Sequence, residues 1–132
     1  MASHIEKGQA GEEVACRLLE SKGYTILERN WRYRHKEVDI IASNEREVVI
    51  VEVKTRAMDS LVAPRESVLY DKIHNLVLAA DHYIKQHSLL LPVRFDIIAV
   101  ETELDGTFTT EHIEHAFVAP LMSRRPYPKK RR

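Results

Sequence analysis

A single cysteine, Cys16, stands in a chain of 132 residues. One thiol cannot close an internal disulfide, and it cannot build a multi-cysteine zinc site. A reducing cytoplasm is therefore the expected setting. No apolar run approaches the ~20 residues that a membrane span needs, so no membrane partner is expected. The opening segment MASHIEKGQAGEE has no apolar core, which argues against a secretory signal. No internal repeat is visible, and the length suits one domain with a real core rather than two.

Net charge is also missing: 20 basic side chains balance 20 acidic ones. The balance hides an asymmetry. Residues 119–132 hold Arg124, Arg125, Lys129, Lys130, Arg131 and Arg132 with no acid, which leaves 14 basic against 20 acidic in residues 1–118. The expected division is one domain over 1–118 and a basic tail over 119–132, for which flexibility is expected. Such a tail attracts phosphate or serves as a solvated end, and both readings stand.

What the chain does have is a normal globular composition, 44% hydrophobic and 30% charged. Residues 6–22 read as a helix with Val14, Ala15, Leu18 and Leu19 on one face, and Gly23 suits its stop. Tyr24 to Tyr33, Val38 to Ser43 and Val48 to Thr55 read as strands, the last two joined by the polar loop Asn44–Glu47. A loop over 56–64 ends at Pro64. A long helix is expected from Arg65 to His87, with Leu69, Ile73, Leu76, Val77, Ala80, Tyr83 and Ile84 on its buried side. Val93 to Glu101 and Phe108 to Phe117 complete the strands. The order α-β-β-β-α-β-β predicts an α/β fold, a mixed sheet flanked by helices.

Within that frame the run VDIIASNEREVVIVEVKTR, Val38 to Arg56, holds a conflict. Side chains alternate across a strand. Val48, Ile50, Glu52 and Lys54 therefore share one face of a strand whose other face is Val49, Val51 and Val53. A four-residue loop places Ser43 opposite Val48, Ile41 opposite Ile50, Asp39 opposite Glu52 and Glu37 opposite Lys54. Opposed Cβ atoms lie ~4.5–5.5 Å apart, and two carboxylates there repel unless a cation intervenes. Oxygen ligands suit Mg²⁺ or Mn²⁺, and Lys54 would sit close enough to orient a water or meet charge on a phosphate. The competing reading is a salt-bridge cluster of Lys54 with Glu37 or Glu52. Glu12, on the side of Ala15 and Leu19, points toward the same cluster, or else serves as a first-turn acid facing the helix dipole.

The segments G8-Q-A-G-E12-E-V-A15, G23-Y-T-I-L-E-R-N-W-R32, E37-V-D-I-I-A42 and V51-E-V-K-T-R56 resemble the YraN family of predicted endonucleases. That family is grouped with the PD-(D/E)xK, Holliday-junction-resolvase-like nucleases. The similarity runs over roughly residues 8–100, through Pro64, Val68 and Lys72 and on to Arg94-Phe95-Asp96. Two family glycines are absent: Lys36 precedes the Glu-Val-Asp, and Ser60 to Pro64 holds none. The resemblance implies a restriction-endonuclease-like core that hydrolyses DNA phosphodiesters with Mg²⁺ or Mn²⁺. It maps the helix acid onto Glu12, the metal-binding aspartate onto Asp39 and the Glu-x-Lys onto Glu52 and Lys54. Asp39 and Glu52 would hold the ion with the Val53 carbonyl as a third ligand. Glu12 would hold a second ion or support the first through water, and Lys54 would position the attacking water. DNA is the expected partner, with its branched or linear form left open. A homodimer follows by analogy with resolvases, which make two cuts.

Arg29, Arg32, Arg34 and Lys36, interleaved with Trp31, Tyr33 and His35, read as a DNA-facing edge or as an edge strand guarded by charge. Lys72 flanks the buried stripe of its helix and either approaches phosphate or snorkels to solvent. Asp96 is the electrostatic partner of Arg94. His112 and His115, three apart on the expected strand, fall on opposite faces and make no metal site, and Cys16 is a packing residue. The rival to the nuclease is a nuclease-fold module that binds DNA or protein without cutting, favoured by the acidic balance of residues 1–118.

Overall fold

The computed structural model describes residues 4–57 and 70–117. The loop to Pro64, the start of the long helix at Arg65 to Leu69, and the basic tail lie outside the described residues. The order is α1 (His4–Ser21), β1 (Thr25–Tyr33), β2 (Lys36–Ser43), β3 (Val48–Ala57), α2 (Tyr70–Gln86), β4 (Val93–Thr102) and β5 (Phe108–Phe117). The five strands form one sheet in sequence order. β1–β2, β2–β3 and β4–β5 pair antiparallel, while β3–β4 is parallel. A parallel pair needs a crossover, and α2 lies in it. The expected α/β class and element order are both observed.

The helices cover opposite faces. Ala15, Cys16 and Leu19 of α1 pack with Ile40, Ala42, Val49, Val51, Ile98 and Val100. Leu76, Ala79, Ala80 and Tyr83 of α2 pack with Ile41, Val48, Ile50 and Phe95. The alternation of β3 therefore feeds two cores, as expected of a central strand. Cys16 is packing, and burial pushes its thiol up.

Local chemistry sets the boundaries. Asn44 closes the β2–β3 loop, since its Oδ1 accepts from the N–H groups of Arg46 and Glu47, both at 2.8 Å. Ser43 then faces Val48 and Ile41 faces Ile50, in the register read from the sequence. β2 begins two residues earlier than expected, at Lys36, because Tyr33 pairs with Lys36 around the two-residue turn Arg34–His35. That turn holds Arg34 at φ 60°, a conformation unfavourable for a side chain. β3 runs on to Ala57 because β4 continues to pair with it, Arg56 opposite Glu101 and Ala57 opposite Thr102.

Gly11 sets the seat of α1. A Cβ there would collide with the Thr55 side chain, so only glycine lets the helix lie so close to the end of β3. α1 begins at His4, which puts Glu12 roughly two turns inside the helix. The first-turn dipole role weighed for Glu12 is thereby excluded.

Candidate functional site

β2 and β3 part company at the conflict in the sequence. Their pairing ends at Ile40 opposite Val51. Beyond it β2 still pairs with β1, through Val38, Glu37 and Lys36, and β3 still pairs with β4. The sheet therefore splits between its second and third strands, and Asp39, Glu52, Val53 and Lys54 line the split. The expected opposition of Glu37 and Lys54 does not occur. Glu37 faces Arg32 across the β1–β2 hairpin, with Arg32 Nη2 3.6 Å from its Oε1.

Splitting a sheet strips backbone groups of partners, and the site answers this with side chains. The Val53 N–H donates to Asp39 Oδ2 at 2.9 Å. In a strand the N–H and C=O of one residue point to the same side, so the Val53 carbonyl faces the split as well. Glu52 is only 3% exposed. Its Oε2 meets two ammonium groups, Lys72 Nζ at 3.3 Å and Lys54 Nζ at 3.8 Å. Its Oε1 is buried without a hydrogen-bond partner, the one such side-chain atom among the described residues.

The electrostatics follow from this geometry. Burial pushes Asp39 up to about 7, helped by the charges of Glu52 and Glu12 and opposed by the Val53 N–H and Lys72. Burial also raises Glu52, while Lys72 and Lys54 pull the other way. Glu12 is half-buried on α1 and near enough for its charge to act on Asp39. Among the described residues no three His, Cys, Asp or Glu side chains are grouped closely enough to hold an ion by themselves. Two carboxylates, the Val53 carbonyl and solvent could still complete the shell of a hard cation, which keeps several waters when it is Mg²⁺. The orphaned Glu52 oxygen fits such an ion, because an unsatisfied buried carboxylate oxygen is costly.

The residues expected to meet DNA divide into two groups. Arg32, Lys36 and Lys72 line a cavity of about 340 Å³ together with His35 and Asn75. Arg34 lies over the Tyr33 ring at 5.3 Å in the exposed turn. Arg29 is turned elsewhere: its Nη1 binds Glu13 Oε1 at 2.9 Å and ties β1 to α1. The interleaved aromatics face inward. Trp31 meets Tyr83 edge-on at 5.1 Å, and Tyr33 stacks on His82 at 4.0 Å.

Asp96 is the partner of Arg94, as expected, with Nε–Oδ1 at 2.9 Å and Nη2–Oδ2 at 2.8 Å. The structure adds His112, whose Nε2 lies 2.7 Å from Asp96 Oδ2. Two features of the site were missed in the sequence: the bond from Val53 to Asp39, and the pairing of Lys72 with Glu52. Lys72 left a trace in its position beside the buried stripe, whereas the backbone bond left none.

The fold and the site together define an α/β domain that carries an acid–lysine cluster where its central sheet divides. The chain belongs to the family described as Uncharacterised protein family UPF0102, whose model matches residues 11–100. A UPF0102 protein of Bacteroides thetaiotaomicron is 50% identical over 121 residues, covering 92% of this chain and 99% of the relative. One from Porphyromonas gingivalis is 43% identical over 136 residues, covering 100% and 99%. Among solved structures, Pyrococcus furiosus SfsA in complex with Ca²⁺ aligns with a TM-score of 0.40 at 14% identity. That alignment covers 82% of this chain, which spans 62% of SfsA. No helix among the described residues is long and apolar enough to cross a membrane.

Proposed function

We propose that this protein is a metal-dependent DNA endonuclease of the restriction-endonuclease-like type, as the resemblance to the YraN family suggests. One observation carries the reading: a buried Glu52 oxygen without a partner, beside an Asp39 carboxylate that accepts from the Val53 N–H. A buried acid beside a half-buried one is costly without a cation, and this arrangement has a use for one.

Asp39, Glu52 and the Val53 carbonyl would hold Mg²⁺ or Mn²⁺, with Glu12 supporting the site through water or a second ion. When bound, the ion supplies Lewis acidity and a water of lowered pKa. Lys54 would position the attacking water and face the negative charge that grows on the phosphate. Hydrolysis would form a bond from the water oxygen to phosphorus and break one ester bond, with the proton lost by the water passing to solvent and the leaving oxygen taking one up from solvent. Arg32, Lys36 and Lys72 offer cations to the flanking phosphates.

The test joins calorimetric titration with Mn²⁺ to a cleavage panel of branched, flapped, duplex and single-stranded DNA. Binding by the wild type, its loss in Asp39→Asn and Glu52→Gln, and metal-dependent cutting of at least one substrate are expected. Undiminished binding in both variants would reject the metal assignment. A second reading, a nuclease-fold module that binds without cutting, is favoured by the lack, among the described residues, of a three-side-chain ligand group. Binding of DNA with no cleavage under either metal would select it.

A further inference from the structure

Lys72 stands between two anion sites. Its ammonium lies 3.3 Å from Glu52 Oε2, in the acid cluster. Its side chain also lines the 340 Å³ cavity with Arg32, His35, Lys36, Glu37 and Asn75. The cavity opens between the β1–β2 turn and α2, directly beside the split in the sheet. One long side chain, 47% exposed, can therefore serve either a carboxylate or a ligand in the cavity.

Its two possible partners differ in what else they can bind. Glu52 Oε2 already has Lys54 within 3.8 Å. A divalent cation on Glu52 would repel both ammonium groups. Lys54 follows Glu52 by two residues on the same strand face, and its backbone is held by pairing with Ala99. Lys72 comes from a separate helix on a half-exposed stem, so it has the greater freedom to leave. The cavity is the nearby place where a displaced cation is useful. Arg32 is partly neutralised there by Glu37 at 3.6 Å, which leaves Lys36 and the incoming Lys72 to meet a phosphate.

We propose that Lys72 couples metal binding to phosphate binding: it pairs with Glu52 in the metal-free protein, and a divalent cation displaces it into the Arg32–Lys36 cavity, where it binds a DNA phosphate next to the one cleaved. The inference rests on the metal site proposed above. It makes Lys72 a positioning residue and the cavity a phosphate subsite. Metal and DNA then bind cooperatively, and by linkage each raises the affinity for the other equally.

The experiment measures both affinities on the full chain at pH 8, above the range where Asp39 titrates. Mn²⁺ affinity is read by calorimetry without DNA. DNA affinity is read by fluorescence anisotropy on a labelled flapped duplex, with and without Ca²⁺. In Lys72→Met the competing ammonium is gone, so Mn²⁺ should bind at least about 5-fold more tightly, the upper scale of an exposed ion pair, since Glu52 is buried and Lys72 half-exposed. The gain in DNA affinity that Ca²⁺ gives the wild type should shrink by a similar factor. Lys72→Arg should behave as wild type in both measurements. Unchanged or weaker Mn²⁺ binding in Lys72→Met would overturn the displacement. Loss of DNA affinity that is equal with and without Ca²⁺ would make Lys72 a plain phosphate contact and overturn the coupling. A wild type that binds Mn²⁺ but whose DNA affinity ignores Ca²⁺ would end the coupling and leave the metal site standing. A wild type that binds no Mn²⁺ would end both.

Discussion

Asp39 ionises near pH 7 instead of at the ordinary 3.8, because burial and the Glu52 carboxylate both oppose its charge. An acid whose native pKa is raised holds a proton in the folded state that the unfolded chain has already released. Between about pH 4 and 7 the native state binds more protons, so metal-free stability falls as pH rises through that window. Asp39→Asn keeps an oxygen for the Val53 N–H and removes the charge. It should therefore stabilise the metal-free protein by about 1–3 kcal/mol at pH 8, and by much less at pH 4. Thermal melts in chelator at the two pH values check this, and a gain larger at pH 4 would reverse the assignment. The same proton competes with a metal. Mn²⁺ affinity should climb by roughly tenfold per unit up to pH 7 and then flatten, which titrations at pH 6, 7 and 8 would show. Lys54 acts at a later stage. In a nuclease it meets charge that exists only in the transition state, so Lys54→Ala should cost ~10²–10³-fold in single-turnover rate and little in DNA affinity. Cleavage at the wild-type rate would remove that role.

At the scale of the element, α1 is held in place by a missing side chain. Gly11 lets the helix approach β3 at Thr55, and Glu12 follows it toward the split. Gly11→Ala would improve helix propensity by ~1 kcal/mol in isolation. Here the added methyl collides with Thr55, and overpacking of this kind costs about 1–3 kcal/mol. The net effect should be destabilising, and Thr55→Ala in the Gly11→Ala background should restore stability. A double-mutant cycle by chemical denaturation measures the coupling. Additive effects would show that the helix seat does not depend on this contact. The β2–β3 hairpin was legible in advance because Asn44–Glu47 and the alternation of valines and isoleucines set its register. The parting of the two strands beyond the Ile40–Val51 pair was not, because Asp39 and Glu52 could have continued to pair.

Across the whole molecule, one buried polar network joins distant parts of the chain. Arg94 on β4 binds Asp96, Glu47 before β3 at 2.7 Å and the Tyr24 hydroxyl at 2.6 Å. Asp96 binds His112 on β5, and Lys22 Nζ reaches His112 Nδ1 at 2.8 Å. Burial alone would raise Asp96, but the hydrogen bonds from His112, Arg94 and the His115 N–H outweigh it and hold its carboxyl below the usual range. Its sign is opposite to that of Asp39: the stability it contributes is present above pH 3.8 and is lost as pH falls through the depressed value. Asp96→Ala would leave the Arg94 guanidinium buried and short of its main partner. A loss of about 3–5 kcal/mol is expected in denaturant titrations at pH 7. A loss below 1 kcal/mol would mean that Glu47 and Tyr24 suffice for Arg94.

The sequence by itself determined the element order, the register of the central hairpin and the identity of the acids and lysine on its strands. These are properties of neighbours in the chain, where period, turn chemistry and alternation act over a few residues. Arg94 and Asp96 were paired on the same ground, two residues apart on one face. Tertiary structure decided which of these groups meet. Lys72 reaches Glu52 only because α2 crosses the sheet face beside it, and Arg29 turns to Glu13 only because α1 lies over β1. Glu12 acts on Asp39 only because Gly11 admits the helix to β3. Above all, the sheet divides where it does because β2 follows β1 while β3 follows β4. That choice balances pairings across the whole sheet, and no local pattern carries it. It opens the split that leaves one Glu52 oxygen without a partner.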